Sequence, residues 1–177
     1  MPKQRESRRR LKGSATPAPP GAKFERAAGV VGMGLMGTSI SACLLAAGHS
    51  LQCVEIDPSK LRTARKRLLK VLEQARSQGL IAVSPSLLME RVTISADFSV
   101  LKGAAIVVES TIEDPAVKCR VINEIEEVVS RTTLIGSNTS AIPVSDLQRD
   151  ARHPERILGL HWAEPKVRRR ARAAMSA

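Results

Sequence analysis

The segment Gly32-Met33-Gly34-Leu35-Met36-Gly37 constrains this chain more than any other. It follows a short apolar run, Ala27 to Val31, and precedes an apolar stretch from Thr38 to Ala47 that Gly48 closes. A lone G-x-G-x-x-G is weak evidence, but between a strand and a helix each glycine has a physical task. Gly32 permits a tight turn, Gly34 lets backbone approach a pyrophosphate, and Gly37 lets helix and strand pack closely. The helix N-terminus then turns free N–H groups and its positive dipole end toward phosphate. With Leu35 and Met36, these glycines form the expected phosphate cradle. The next apolar run, Leu51 to Glu55, ends on an acid 18 residues past Gly37. A carboxylate there accepts the hydroxyls of an adenosine ribose and repels a 2′-phosphate, which favours NAD over NADP. Asp57 competes for that task, but Pro58 beside it marks Asp57 as a helix cap. The bland alternative, a glycine turn that binds nothing, does not account for the acid at the end of the second strand.

Hydrophobic periodicity extends the pattern. Leu61, Ala64, Leu68, Val71, Leu72 and Ala75 recur at helical spacing, with Lys60, Arg62, Arg65, Lys66 and Arg67 largely on the other sides. Gly79 to Ser86 reads as a turn, Leu87 to Met89 as the end of a short helix, and Val92 to Ile94 as a brief strand. Ala104 to Glu109 is a buried strand, and Pro115 opens a helix with Val117, Val121, Ile122, Ile125 and Val129 on one stripe. Thr132 to Ile135 is a strand running into Gly136-Ser137-Asn138-Thr139-Ser140; Val144 to Arg149 is a helical turn and Ile157 to His161 a last strand. Strands alternating with helices predict an α/β fold, a doubly wound, mostly parallel sheet of the Rossmann type.

The net charge of +11 points to a polyanion only if it lies on the globular part. It does not. Residues 1–25 and 165–177 each carry a net +5, and 26–164 only +1. The expected organisation is a basic, Pro-rich disordered arm over 1–24, a dinucleotide-binding domain over 25–165, and a basic disordered tail over 166–177. With two Phe, one Trp and no Tyr, the chain lacks the rings of a single-strand stacking platform, so nucleic acid is a disfavoured partner. Cys43, Cys53 and Cys119 fit neither a disulfide framework nor a zinc site, and Cys43 and Cys53 read as small buried hydrophobes. No metal site is expected, no apolar run is long enough to span a bilayer, and the expected compartment is the cytoplasm.

Four segments carry a family resemblance: the glycine turn, Val108-Glu109-Ser110-Thr111-Ile112-Glu113-Asp114, Ser137-Asn138-Thr139-Ser140, and Arg156-Ile157-Leu158-Gly159-Leu160-His161. In these the chain resembles the NAD-binding domain of the 3-hydroxyacyl-CoA dehydrogenases, from about Ala28 to Pro165. The resemblance implies an NAD-dependent oxidoreductase of fatty-acid β-oxidation that interconverts 3-hydroxyacyl-CoA and 3-ketoacyl-CoA. It implies that Glu55 binds the adenosine ribose, and that Glu113 and Lys118 lie near the nicotinamide half of NAD. By the same resemblance, Ser137 contacts substrate and cofactor with Asn138 beside it, and His161 is the catalytic base. Imidazole suits that step, because its ordinary pKa of about 6.5 lies near working pH.

The chain also departs from that family. Where the family reads His-Phe-Phe-Asn-Pro, this chain reads His161-Trp162-Ala163-Glu164-Pro165, and the family's histidine-orienting glutamate falls at Ala173. The family's helical second domain, which completes the acyl-CoA site, has no counterpart after Pro165, and its CoA-contacting Ser and Lys find no match near Val71 and Gln78. The expectation is a truncated or frame-disrupted product that binds NAD with weak or no turnover alone. A rival expectation is a non-catalytic NAD-binding module, or a subunit needing a separate helical domain or a second copy of itself. An RNA- or phosphate-binding role for the basic tails ranks third.

Overall fold

The computed structural model describes residues 27–162, so the two basic segments, along with Ala163, Glu164, Pro165 and Ala173, lie outside the described residues. Six strands form one parallel sheet: β1 (Ala28–Val31), β2 (Leu51–Val54), β3 (Val92–Ser95), β4 (Ile106–Glu109), β5 (Leu134–Ser137) and β6 (Ile157–Gly159). Their order is β3-β2-β1-β4-β5-β6. The chain winds outward from β1 through β2 to β3, then returns to β4 on the other side of β1 and winds the opposite way. The expected doubly wound sheet is therefore present, and its winding reverses between β1 and β4, where such sheets bind ligands beyond their carboxyl ends.

Alternation along each strand divides the core. Val30, Cys53 and Val108 face one side, against α1 (Leu35–Ala46) and α2 (Leu61–Ser77). Val31, Val54 and Val107 face the other, against α4 (Pro115–Val128) and the short α5 (Val144–Gln148); α3 (Pro85–Met89) packs with α2 on the first side. Burial pushes the Cys53 thiol up to about 12, offset in part by its bond with Ser41. Cys43, expected in the core, is instead exposed, because the buried stripe of α1 runs through Gly37, Thr38, Ile40, Ser41, Ala42 and Leu45. No helix among the described residues is long and apolar enough to cross a membrane.

Several boundaries shift for physical reasons. Helix α1 starts at Leu35, three residues before the expected Thr38, because Gly34 is its N-cap and the turn's last residues are already helical. Strand β5 runs two residues later than expected. Thr132 donates from its N–H to the Ser130 hydroxyl in a local turn, and register pairs Gly136 and Ser137 with Val108 and Glu109. A 3-10 turn over Phe98–Leu101, capped by Asp97, was not legible as an element. Strand β6 stops at Gly159, so Leu160 and His161 continue as an extended tail over the end of β5. That tail is fixed from below. Buried Glu126 accepts from the backbone of Arg152 and His153 and pairs with buried Arg156 at 3.1 Å, just before β6 begins.

Candidate dinucleotide and hydride-transfer site

At the carboxyl end of β1 the three glycines are needed for different reasons. Gly32 has φ +91°, and a Cβ there would stand 2.6 Å from the Ser110 carbonyl oxygen. A Cβ on Gly37 would stand 1.8 Å from the Gly32 carbonyl oxygen. Those two are demanded by the protein's own packing. Gly34 is not: its φ is −68°, and a Cβ there meets nothing within 4 Å. The turn thus leaves an open cradle over an α1 N-terminus with no capping side chain and no acid in its first turn. Leu35 projects into solvent beside it, and Met36 is half-buried.

Glu55 follows β2, its N–H bonded to the Ser95 carbonyl at 2.9 Å. Its Oε1 accepts from the Asp57 N–H at 3.3 Å, and its Oε2 has no partner among the described residues. Asp57 caps the 3-10 turn over Pro58–Lys60 as expected, accepting from the Ser59 backbone and hydroxyl and pairing with Lys60 at 3.0 Å. The Ser59 hydroxyl bond, then Lys60, hold the Asp57 carboxyl down at about 2. Of the two acids after β2, only Glu55 has an oxygen to spare.

The other half of the site is organised by a residue to which the sequence reading gives no task. Glu109 ends β4, fully buried, and its register neighbours are Val31 and Ser137. Its carboxylate accepts from the Thr111 backbone and hydroxyl at 2.7 and 2.6 Å, from Lys118 Nζ at 3.0 Å to each oxygen, and from Ser137 Oγ at 2.5 Å. Lys118 and Ser137 are also fully buried. This differs from the placement that the resemblance implies for them beside the ligands. Both point inward because a buried carboxylate needs a cation and donors more than the surface does. The signal for Glu109 lay in the sequence. Lys118 stands on the apolar stripe of Val121, Ile122 and Ile125, and a lysine there requires a buried acid.

Lys118 also approaches Glu113 Oε2, at 3.6 Å. Glu113 Oε1 accepts from the Thr139 hydroxyl at 2.6 Å and from the N–H groups of Ser140 and Ala141 at 2.8 and 3.0 Å. Burial raises the Glu113 pKa, but these donors and the Lys118 charge outweigh it and hold the carboxyl at about 2. Oε1 is committed to the loop after β5, whereas Oε2 has only the longer contact with Lys118. Asn138 is fixed by both ends: Nδ2 donates to Ser110 Oγ at 3.2 Å and Oδ1 accepts from the Trp162 N–H at 2.9 Å. His161 is exposed and its Nδ1 lies 3.4 Å from the Thr139 carbonyl oxygen. A carbonyl only accepts, so in this contact Nδ1 is the donor, and in a neutral ring that tautomer leaves the lone pair on Nε2. Glycine turn, Glu55, Glu113, Asn138 and His161 all stand beyond the carboxyl ends of the strands, with Ser137 and Lys118 beneath them. No cluster of three or more metal-ligating side chains occurs among the described residues.

Residues 27–168 match the family described as 3-hydroxyacyl-CoA dehydrogenase, NAD binding domain. The chain belongs to that family. Its cofactor is NAD, and the open position at Gly34 fits one. A 3-hydroxybutyryl-CoA dehydrogenase of Mycobacterium tuberculosis is 32% identical over 139 residues, 77% of this chain and 49% of the relative. A Mesorhizobium japonicum 5-formyl-3-hydroxy-2-methylpyridine 4-carboxylate 5-dehydrogenase is 31% identical over 137 residues, 77% of this chain and 44% of that protein. Among solved structures, 3-hydroxybutyryl-CoA dehydrogenase from Escherichia coli superposes with a TM-score of 0.72 at 26% identity, covering 79% of this chain and 30% of that one. The chain spans about half the length of the curated relatives it matches.

Proposed function

We propose that this chain is the cofactor half of a dehydrogenase that oxidises the 3-hydroxyl of an acyl-CoA, or reduces the 3-ketone, in fatty-acid metabolism. The observation that carries the reading is the glycine turn, in which Gly34, the one glycine of the three not required by packing, is open over an uncapped helix end, with the free oxygen of Glu55 beyond the next strand. In this reading Glu55 takes the adenosine ribose and Glu113 Oε2 the nicotinamide ribose. Asn138 sets the depth of the cleft by its bonds to Ser110 and Trp162. NAD, when bound, supplies the hydride acceptor. His161 takes the hydroxyl proton on Nε2, with the Thr139 carbonyl holding the tautomer that leaves Nε2 free. Ser137 and Lys118 act from below through Glu109, to which both are bonded.

Two relatives support different substrates, since one is named for a 3-hydroxybutyryl-CoA and the other for a pyridine carboxylate. The acyl-CoA is preferred here on the combined Ser137 to Ser140 and His161 pattern. Turnover by the chain alone is expected to be weak. His161 faces solvent and meets a carbonyl rather than a carboxylate among the described residues, and the sequence position of the family's orienting acid is Ala173. That same observation favours the second reading, an NAD-binding subunit completed by a separate helical domain or a second copy. A reducing, cytoplasmic setting goes with either.

The test is an NADH titration of the full chain that follows energy transfer from Trp162, the only tryptophan, to the nicotinamide. Saturable transfer, abolished by Gly34→Asp and weakened about tenfold by Glu55→Ala, is the expected result. No transfer from a folded chain overturns the reading. Acetoacetyl-CoA-dependent NADH oxidation near the ordinary enzyme median of about 10 per second would show that the chain needs no completing domain.

A further inference from the structure

The glycine turn is held by a side chain that neither the motif nor the family resemblance brings in. Arg67, on α2 and 34 residues away, donates from Nη1 to the Met33 carbonyl oxygen at 2.7 Å. Met33 is the residue between Gly32 and Gly34, and its carbonyl already accepts from the Thr38 hydroxyl at 3.2 Å. One donor would satisfy that buried oxygen; Arg67 is the second. Only one of the five guanidinium N–H groups has an acceptor, and no carboxylate pairs with Arg67 among the described residues.

Neither acid that follows β2, Glu55 or Asp57, pairs with Arg67. The first turn of α1 has no acid and its N-cap, Gly34, offers no side-chain acceptor. Along α2, Arg62, Lys66 and Lys70 stand on one exposed stripe at intervals of four with no ion pair among the described residues, and Glu73 is the only acid in the helix. An unpaired guanidinium docked one residue from an open cradle and an uncapped helix end is poised to meet a dianionic linkage.

We propose that Arg67 is a cofactor-binding residue, its guanidinium neutralising the diphosphate of the dinucleotide while its bond to the Met33 carbonyl sets the turn beneath. The proposal rests on the dinucleotide reading of the turn and adds a cation supplied from α2. The bond to Met33 fixes the guanidinium plane before the ligand arrives, so little side-chain freedom is lost on binding. Such a contact acts on the diphosphate and through charge, so it steepens the salt dependence of binding, whereas an Arg67 that only props the turn leaves that dependence unchanged when a neutral donor replaces it.

The experiment compares NADH, ADP-ribose and adenosine on the full chain, the latter two by displacement of NADH. Arg67→Met is expected to weaken NADH and ADP-ribose each by about tenfold, the size of a charge-assisted hydrogen bond, and adenosine by less than about twofold. The fall of NADH affinity with added salt is expected to flatten in the variant. Should Arg67→Met disturb the fold, Arg67→Gln keeps a donor for the Met33 carbonyl and removes only the charge, and the same pattern is expected. Equal losses for all three ligands, or none for any, overturn the assignment and leave the dinucleotide site standing. Failure of the unmodified chain to bind NADH and ADP-ribose overturns both.

Discussion

The two halves of the site are built by opposite means. Around β1 and β2 the geometry comes from main chain: a glycine with positive φ, a glycine pressed on a carbonyl, an N-cap without a side chain and an aspartate capping the next turn. Around β4 and β5 it comes from buried charge, where Glu109, Lys118 and Ser137 are all withdrawn from solvent and Glu113 joins them at the rim. The first construction is cheap to build and intolerant of added atoms. The second is costly, since two ions are removed from water, and is intolerant of losing either partner.

The largest test of this contrast is Lys118→Met. It removes the cation but not the acid, and leaves the Glu109 carboxylate buried with only the Thr111 and Ser137 donors. The expected loss is about 3–5 kcal/mol of stability in urea or thermal unfolding. Combining it with Glu109→Leu is expected to recover most of that loss, because a buried pair replaced by apolar groups is close to neutral. If Lys118→Met costs no more than an exposed substitution, the second half is not held by charge.

A smaller, sharper test lies within the first half. Gly37→Ala puts a methyl 1.8 Å from the Gly32 carbonyl oxygen, and backbone must move. About 1–3 kcal/mol of stability is expected to go, and NADH affinity with it, since the turn itself shifts. Gly34→Ala adds the same methyl to open space at an ordinary φ, so the melting temperature is expected to hold while NADH affinity falls. Two identical substitutions three residues apart should thus separate fold from cofactor. Equal effects on melting would mean that Gly34 also serves the fold.

The same contrast explains what could be read from the letters. The sheet, its winding, the glycine turn, the capping role of Asp57 and the start of α4 at Pro115 were legible because their causes are local: a glycine, a Pro, an acid before a helix. Glu109 was only half legible: Lys118 on an apolar stripe calls for a buried acid without saying which, and Ser137, 28 residues away, comes to Glu109 only through strand register. Arg67 was read as one more cation on a solvated face, and its bond to Met33 depends on how α2 crosses the turn. Ser137 and Lys118 are expected beside the ligands, but a motif does not say which way a side chain points, and both are buried against Glu109. Cys43 failed for a similar reason, since apolar composition all round α1 hid which stripe faces the sheet.

The smallest expected effect is at the rim, where Glu113 belongs to both constructions. One of its oxygens serves main chain at Ser140 and Ala141, while the other faces Lys118. Its carboxyl sits at about 2 in the folded chain against an ordinary 4.5, so between those values the unfolded chain binds the proton and the folded chain does not. Stability from Glu113 is therefore complete above about pH 4.5 and lost as pH falls toward 2, and its size is limited by the solvent that still reaches the side chain. Glu113→Gln keeps an acceptor for Thr139 but cannot titrate. Its unfolding free energy should lie below that of the unmodified chain at pH 6, and the gap should close as both are taken below pH 3. A gap constant across that range would mean that hydrogen bonding alone, and not the charge shared with Lys118, fastens the loop after β5 to the start of α4.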